Sequence, residues 1–213
     1  MSSTHDVNQR AHFNHWSETY ERSFMQWLIF DRVHAGILSR LPHDFDPADI
    51  LDIGGGTGRL LRRMQARFPK AGLSGVDLAE GMVAQARQQT PGATIHQAPA
   101  EHLPLQDGAI DLVTSTVSFH HWSDQAQGVK EAFRVLRPGG LFILADMSLA
   151  SHGQPLSAGQ VRGLFEAAGF RVEAQSHPVP FFTFTVGKKT PSLEQVPGSF
   201  GRLKLLSDPE ETV

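Results

Sequence analysis

The residues best placed to do chemistry are a glycine-rich turn and an acidic residue that follows it. The turn spans residues 54–58, between an apolar run and a run of helical period, and its glycines are Gly54, Gly56 and Gly58. Glycine adopts positive φ angles and has no side chain, so this backbone can approach a ligand closely. Asp77 ends the next apolar run about 20 residues on, where a carboxylate can accept hydrogen bonds from both ribose hydroxyls. These two features indicate a ligand that contains a ribose.

The spacing of the glycines separates this turn from the dinucleotide-binding fingerprint. The three glycines form G-x-G-x-G, whereas the dinucleotide motif has its third glycine three positions after the second, where Arg59 stands here. The turn is therefore not expected to be a pyrophosphate cradle. A nicotinamide-dependent oxidoreductase remains an alternative function, because it shares the order of strand, glycine turn, helix and acid.

The segment Leu51–Gly58 resembles the first motif of the Rossmann-like S-adenosylmethionine-dependent methyltransferases. Further segments match that family in the same order, namely Val76–Met82, Ala100–Pro104, Asp111–Ser115 and Arg134–Gly140. The resemblance runs from about Ile50 to about Lys189 and is nearest to the ubiquinone/menaquinone-biosynthesis type. It implies an enzyme that transfers a methyl group from S-adenosylmethionine to a small-molecule acceptor. A catalytically inactive S-adenosylmethionine-binding interaction protein is the other alternative.

The resemblance also implies which residues bind the cofactor. Asp77 would accept the ribose hydroxyls, although it could instead cap the helix that follows. Asp52 would orient the turn or engage the ammonium group of the ligand. Pro99 replaces an acid that often bonds adenine in the family. The full predicted set is Tyr20, Asp52, Gly54, Gly56, Gly58, Asp77, Leu78, Met82, Ala100, Glu101 and Ser115.

The resemblance also assigns roles to the residues expected near the adenine and to the N-terminal aromatic residue. Leu78 and Met82 would flank the adenine, unless they are ordinary core residues. The backbone N–H of Ala100 would donate to adenine, and Glu101 could compensate for the missing acid. Tyr20 resembles an N-terminal aromatic residue that closes over the cofactor in related enzymes, and packing is the other interpretation.

Two histidines follow the predicted fourth strand, where the resemblance implies that the methyl group lies. His120 and His121 stand within the segment Ser115–Trp122, and Asp146 ends the predicted fifth strand on the acceptor side. A general base matters chiefly when the acceptor must lose a proton, and imidazole titrates near neutral pH. His120 or His121 is therefore a candidate base. The other interpretation is that this segment shapes the cofactor pocket.

The pattern of apolar runs predicts the elements that position these residues. Strands are expected near 49–53, 72–77, 94–98, 109–115 and 141–146, with helices between them, which is typical of a parallel sheet covered on both faces. Two further strands, 170–176 and 180–187, are joined without a helix and must pair antiparallel. The predicted fold class is therefore α/β, a Rossmann-like, seven-stranded, mostly parallel sheet with an antiparallel last strand.

The chain is predicted to have three parts, which are the domain that contains the sheet and one region on either side of it. Residues 1–45 are expected to form an N-terminal helical cap, which packs on the sheet, covers the site, or does both. Residues 46–189 form the S-adenosylmethionine-binding domain. Residues 190–213 are rich in Pro, Ser and Glu and lack a sustained period, so they are expected to be a flexible tail.

Composition limits the partners. The chain of 213 residues has a net charge of −3, which argues against nucleic acid as a partner, and no apolar run of about 20 residues that would span a membrane. It contains no cysteine, and its 11 histidines lack the helical spacing of zinc ligands, so no metal site is expected. The protein is expected to be cytoplasmic, and either a monomer or a homodimer.

Overall fold

Strands and helices alternate along the described part of the chain, which comprises residues 24–147, 153–179 and 181–190 of a computed structural model. The helices are α1 (Phe24–Leu38), α2 (Arg59–Arg67), α3 (Glu80–Gln89), α4 (Gln125–Val135) and α5 (Ala158–Ala167). The strands are β1 (Asp49–Ile53), β2 (Gly72–Asp77), β3 (Ala93–Gln97), β4 (Ile110–Thr116), β5 (Leu136–Met147), β6 (Phe170–Ser176) and β7 (Phe182–Lys189). None of the helices in these ranges is long and apolar enough to cross a membrane.

All seven strands belong to one sheet with the order β3-β2-β1-β4-β5-β7-β6. The pairs from β3 to β5 are parallel, whereas β7 pairs antiparallel with both β5 and β6. The predicted fold class, including the antiparallel last strand, is confirmed. The chain runs outward from β1 in both directions, and ligands of open α/β sheets bind where the strand order reverses, beyond the carboxyl ends of the strands. The turn after β1 lies at that point.

Each face of the sheet has its own apolar core, because successive side chains of a strand point to opposite faces. In β1, Ile50 packs into the core beneath α1, α2 and α3, and Leu51 and Ile53 pack into the core beneath α4 and α5. All three side chains are buried. The central strands are thus apolar on both faces, as in parallel sheets covered by helices.

The start of β5 differs from the prediction. The sequence predicted a strand near 141–146, but β5 already begins at Leu136 and includes Pro138-Gly139-Gly140. Its pairing with β4 shifts register between Ile110 and Leu112, and Gly139 has a φ of 86°. This segment is therefore a bulge within the strand, which a glycine accommodates at positive φ.

Side chains cap the starts of two helices. The carboxylate of Asp124 accepts a hydrogen bond from the N–H of Gln127 and begins α4. Ser157 and Gln160 form a reciprocal capping box at the start of α5. Such caps satisfy N–H groups that have no partner inside the helix.

Helix α1 packs on the sheet through one stripe of side chains. Val33 and Ile37 are fully buried in the core beneath α1, α2 and α3, and an added Cβ at Gly36 would lie 2.7 Å from the Phe184 ring. Near the other end of the helix, Asp31 forms an ion pair with Arg63 of α2. Residues 1–23 and 191–213 lie outside the described residues, so the three-part division of the chain stays a prediction.

The stripe on α1 provides a stability test with an internal control. Ile37 is fully buried and Ile29, eight residues earlier on the same helix, is 39% exposed. Ile37→Ala should lower the free energy of unfolding by about 2–5 kcal/mol, because it leaves a cavity. Ile29→Ala should change it by less than about 1 kcal/mol. Urea denaturation measures both, and equal effects would show that α1 does not dock through this stripe.

Candidate functional site

The glycine turn bends across the tips of β1 and β2. Gly54, Gly56 and Gly58 have φ angles of 67°, 54° and 80°, a region that favours glycine. The N–H groups of Gly54 and Gly55 donate to the carbonyl oxygen of Val76 at 2.7 and 3.2 Å. The turn is therefore pinned to the end of the neighbouring strand before α2 begins.

Asp77 holds the turn from the tip of β2. Its Oδ2 accepts the N–H of Gly56 at 2.9 Å, and its Oδ1 accepts the N–H of Ala79 at 2.9 Å. Burial raises the pKa of Asp77, and these backbone hydrogen bonds oppose that effect. The N-cap of α3 is Ala79, not Asp77 as one interpretation had it. Each carboxylate oxygen has a second lone pair, so both can still accept a hydroxyl.

The three glycines of the motif differ in what surrounds them. A Cβ at Gly54 would lie 2.0 Å from Ser118 Oγ, and one at Gly58 would lie 2.6 Å from Thr90 Oγ1. Both glycines are thus required for packing within the protein. Within the described ranges of the chain, a Cβ at Gly56 would meet only the sulfur of Met82, at 4.0 Å. The space over Gly56 is therefore open, and Gly56 is the glycine of the three that faces room for a ligand.

Asp52 lies at the tip of β1 and is 2% exposed. Thr114 Oγ1 of β4 donates to Asp52 Oδ1 at 2.8 Å, which ties the two central strands together. Burial raises the pKa of Asp52 to about 7, and the charge of nearby Asp77 acts in the same direction. The geometry thus shows the tie between strands. A contact between Asp52 and the ammonium group of a ligand stays a prediction.

The predicted adenine side lies beyond β2 and β3. Met82 of α3 is 3% exposed, and Leu78 is half-buried. Ala100 is buried, whereas Glu101 accepts the N–H of Asp124 through Oε1 at 2.9 Å. Glu101 therefore helps to hold the start of α4.

A serine that the sequence did not single out connects the tips of β1 and β4. Ser118 Oγ donates to the carbonyl oxygen of Ile53 at 3.3 Å and accepts from the indole nitrogen of Trp122 at 3.2 Å. Ser115, which was in the predicted set, is buried and lies 3.1 Å from it, Oγ to Oγ. The close approach of Ser118 to Gly54 could not be predicted from their spacing in the sequence.

The backbone turns sharply before Ser118. Val117 has a φ of 53°, and its N–H still donates to the carbonyl oxygen of Ala145 at 2.8 Å. A β-branched residue in the left-handed region is strained by about 1–3 kcal/mol. The surrounding contacts therefore hold this turn in place against its intrinsic preference.

The two candidate histidines occupy a short 3-10 turn, Phe119–His121, after β4. His120 is 4% exposed and bonds to Asp146 at the end of β5, whereas His121 is half-buried with its ring centroid 4.0 Å from that of His120. Tyr20 lies outside the described residues. The remaining predicted residues lie around the carboxyl ends of β1 to β4 or in the turns and helix that follow them.

The burial of Asp52 predicts a pH dependence of stability. Because its pKa is higher in the fold than in the unfolded chain, its stabilising contribution is complete below about pH 4 and is lost as the pH rises towards 7. Relative to Asp52→Asn, the wild type should lose about 2–3 kcal/mol of unfolding free energy between pH 5 and 8. Urea titrations at each pH measure it, with exposed Asp44→Asn as the control. If the difference in unfolding free energy between the wild type and Asp52→Asn stayed constant from pH 5 to 8, Asp52 would be ionised in the folded protein over that whole range.

Comparison with known proteins assigns the region that carries this site. A family model described as "Methyltransferase domain" matches residues 51–144, from the tip of β1 to β5. The malonyl-[acyl-carrier protein] O-methyltransferase of Geobacter sulfurreducens is 46% identical over 118 residues, which cover 54% of this chain and 44% of the relative. The ubiquinone/menaquinone biosynthesis C-methyltransferase UbiE of the same organism is 34% identical over 106 residues, 46% of this chain and 41% of the relative.

The chain thus spans less than half the length of each of these two relatives. Among solved structures, a SAM-dependent methyltransferase from Thermotoga maritima aligns with a TM-score of 0.69 at 22% identity, covering 85% of this chain and 99% of the other. At that identity the likeness shows the fold. Residues 51–144 thus match a methyltransferase domain, within a sheet that has the fold of a SAM-dependent methyltransferase.

Proposed function

We propose that the protein transfers the methyl group of S-adenosylmethionine to a small-molecule acceptor. The observation that carries this proposal is the open space over Gly56, bordered by the Asp77 carboxylate and the sulfur of Met82. Among the described residues only the Met82 sulfur would come within 4.0 Å of a Cβ at Gly56, and this space beside the Asp77 carboxylate suits a ligand that brings a ribose to the tip of β2. The residues present therefore fit the cofactor that the family uses.

Each part of the site has a distinct task in this proposal. Asp77 accepts the ribose hydroxyls, Leu78 and Met82 flank the adenine, and the Ala100 N–H donates to it. Asp77, and Asp52 when it is ionised, place negative charge close to the turn, which favours a cationic ligand. The cofactor supplies a methyl group activated on a positively charged sulfur. The protein holds donor and acceptor in line, which is worth up to about 7–11 kcal/mol of barrier.

The acceptor side of the proposed site is formed by the tips of β4 and β5. Ser115 and the turn that follows it border this side, and His120 or His121 serves as a base if the acceptor must lose a proton. The two relatives' names describe different acceptors, one methylated on oxygen and one on carbon. A small molecule and an acyl group on a carrier protein are both compatible with those names.

The wider setting is also part of the proposal. Residues 46–189 act as the cofactor-binding unit, residues 1–45 with Tyr20 form the cap, and residues 190–213 form a tail. We infer a cytoplasmic enzyme, monomeric or homodimeric, that does not act on nucleic acid, since the net charge is −3. Calorimetry with S-adenosylmethionine, S-adenosylhomocysteine and NAD separates this proposal from an oxidoreductase. A screen of acceptors separates it from an inactive binding protein.

Removing the Asp77 carboxylate should weaken binding of S-adenosylhomocysteine. Asp77→Ala removes charge-assisted hydrogen bonds, so the dissociation constant should rise about 10–100-fold. Glu80→Ala is the matched control, because Glu80 is exposed one turn away in α3. Calorimetry measures affinity, and circular dichroism verifies the fold. Equal affinity of the folded Asp77→Ala protein and the wild type would exclude the ribose role.

Filling the space over Gly56 should abolish binding. Gly56→Val places a β-branched side chain where the ligand lies and also strains a backbone with a φ of 54°. Gly108→Val is the matched control, since Gly108 has a φ of 61° and open space around it, but no predicted site residue beside it. Both variants should lose similar stability, and only Gly56→Val should fail to bind S-adenosylhomocysteine. Micromolar binding by Gly56→Val would place the ligand elsewhere.

A further inference from the structure

His120 and Asp146 form a buried pair at the tips of β4 and β5. His120 Nδ1 lies 2.7 Å from Asp146 Oδ1, and the backbone N–H of His120 donates to Asp146 Oδ2 at 2.7 Å. The two residues are 4% and 6% exposed. Both oxygens of one carboxylate are therefore committed to a single histidine, which fixes the ring relative to its own backbone.

The surroundings keep the ring in this orientation. The carbonyl oxygen of His120 accepts the N–H of Gln154 at 2.6 Å, and an added Cβ at Gly153 would lie 2.9 Å from Cδ2 of the ring. Asp146 also lines a small cavity of about 10 Å³, bordered among others by Thr183 and Thr185, which has room for about one water molecule. Among the described residues, the titratable groups that face His120 are Asp146 from β5 and His121 from its own turn.

This geometry selects one tautomer of His120. An ionised carboxylate only accepts hydrogen bonds, so the 2.7 Å contact places the imidazole proton on Nδ1. Nε2 then carries the lone pair. A carboxylate that orients a histidine in this way also stabilises the imidazolium that forms when the ring takes up a proton.

Building on the methyl transfer proposed above, we propose that His120 is the general base, that Asp146 is its positioning residue, and that the acceptor is methylated at a neutral hydroxyl or N–H group. The acceptor's proton passes to Nε2 of His120, and its lone pair forms the new bond to the methyl carbon. The bond from that carbon to sulfur breaks, and its electron pair stays on sulfur, which gives S-adenosylhomocysteine. His120 leaves the step as an imidazolium paired with Asp146.

The pair distinguishes among acceptor classes. A carboxylate acceptor has a pKa of about 4 and is already ionised at neutral pH, so it gains nothing from a base. Hydroxyl and N–H groups retain their proton at that pH, and a positioned base accelerates their transfer about 10²–10⁴-fold. A buried base therefore points away from a free carboxylate, such as that of a malonyl group, as the methylated group of this chain.

Side-chain NMR of ¹⁵N-labelled histidine tests the pair without any acceptor. The wild-type signal, assigned by its loss in His120→Gln, should show the proton on Nδ1. In Asp146→Asn the amide can donate to Nδ1, and the proton should move to Nε2. A wild-type signal with the proton on Nε2 would overturn the inference. Binding of S-adenosylhomocysteine is measured separately. If the protein does not bind it, the proposed methyl transfer is refuted, while the NMR result on the tautomer of His120 still stands.

Turnover tests the role of the pair. Phenols, amines and N-acetylcysteamine malonyl thioester are supplied with S-adenosylmethionine, and S-adenosylhomocysteine formation is measured. We expect turnover with a phenol or an amine, a kcat lowered about 10²-fold or more in His120→Gln and Asp146→Asn, and a similar KM for S-adenosylmethionine. The wild-type rate should rise with pH as the base loses its proton, and the rise should be absent in His120→Gln.

A structural role of the pair would lower affinity for both substrates without changing the shape of the pH profile. Exposed His43→Gln controls for the substitution itself. Turnover of the malonyl thioester alone, or full kcat in both variants, would overturn the inference. If S-adenosylhomocysteine binds but no acceptor of any class is methylated, the assignment of His120 as the base is overturned, and the NMR result concerns only the orientation of the ring.

Discussion

The hydrogen bond from Gly56 to Asp77 is the contact on which the site depends. It joins the turn after β1 to the end of β2, and the other oxygen of the same carboxylate holds the residue that begins α3. A single acid therefore fixes the relative positions of two strand tips and the turns that lead into two helices. Because a carboxylate oxygen has two lone pairs, the same residue can shape the protein and still bind a ligand.

A second constraint acts through Asp52, which ties β1 to β4 beneath the turn. The two acids bring negative charge to a partly desolvated region, and burial raises the pKa of both. Opposite charge lowers the free energy of such a site. A cationic ligand at the turn would therefore relieve part of the electrostatic penalty of the unbound protein, which links the fold's least favourable charges to its proposed function.

Much of the fold could be predicted from the sequence, because the features involved are local. Apolar runs placed the strands, and the absence of a helix between residues 176 and 180 required an antiparallel pair. The bulge at Gly139 was not predicted, because Pro-Gly-Gly is equally compatible with a turn. The link from His120 to Asp146 spans 26 positions, and no pattern of residue types indicates which of two adjacent histidines faces the acid.

The crowding between Gly54 and Ser118 has an evolutionary consequence. A side chain at position 54 would collide with the hydroxyl that connects Ile53, Ser115 and Trp122. Shortening residue 118 would relieve the collision but remove the connection, and the positive φ at position 54 would remain. The two positions are therefore epistatic, and no single substitution at either one is neutral. Drift at this corner of the molecule requires coordinated change, whereas the constraint on Gly56 comes from its own backbone, with a φ of 54°, and not from a crowded neighbour.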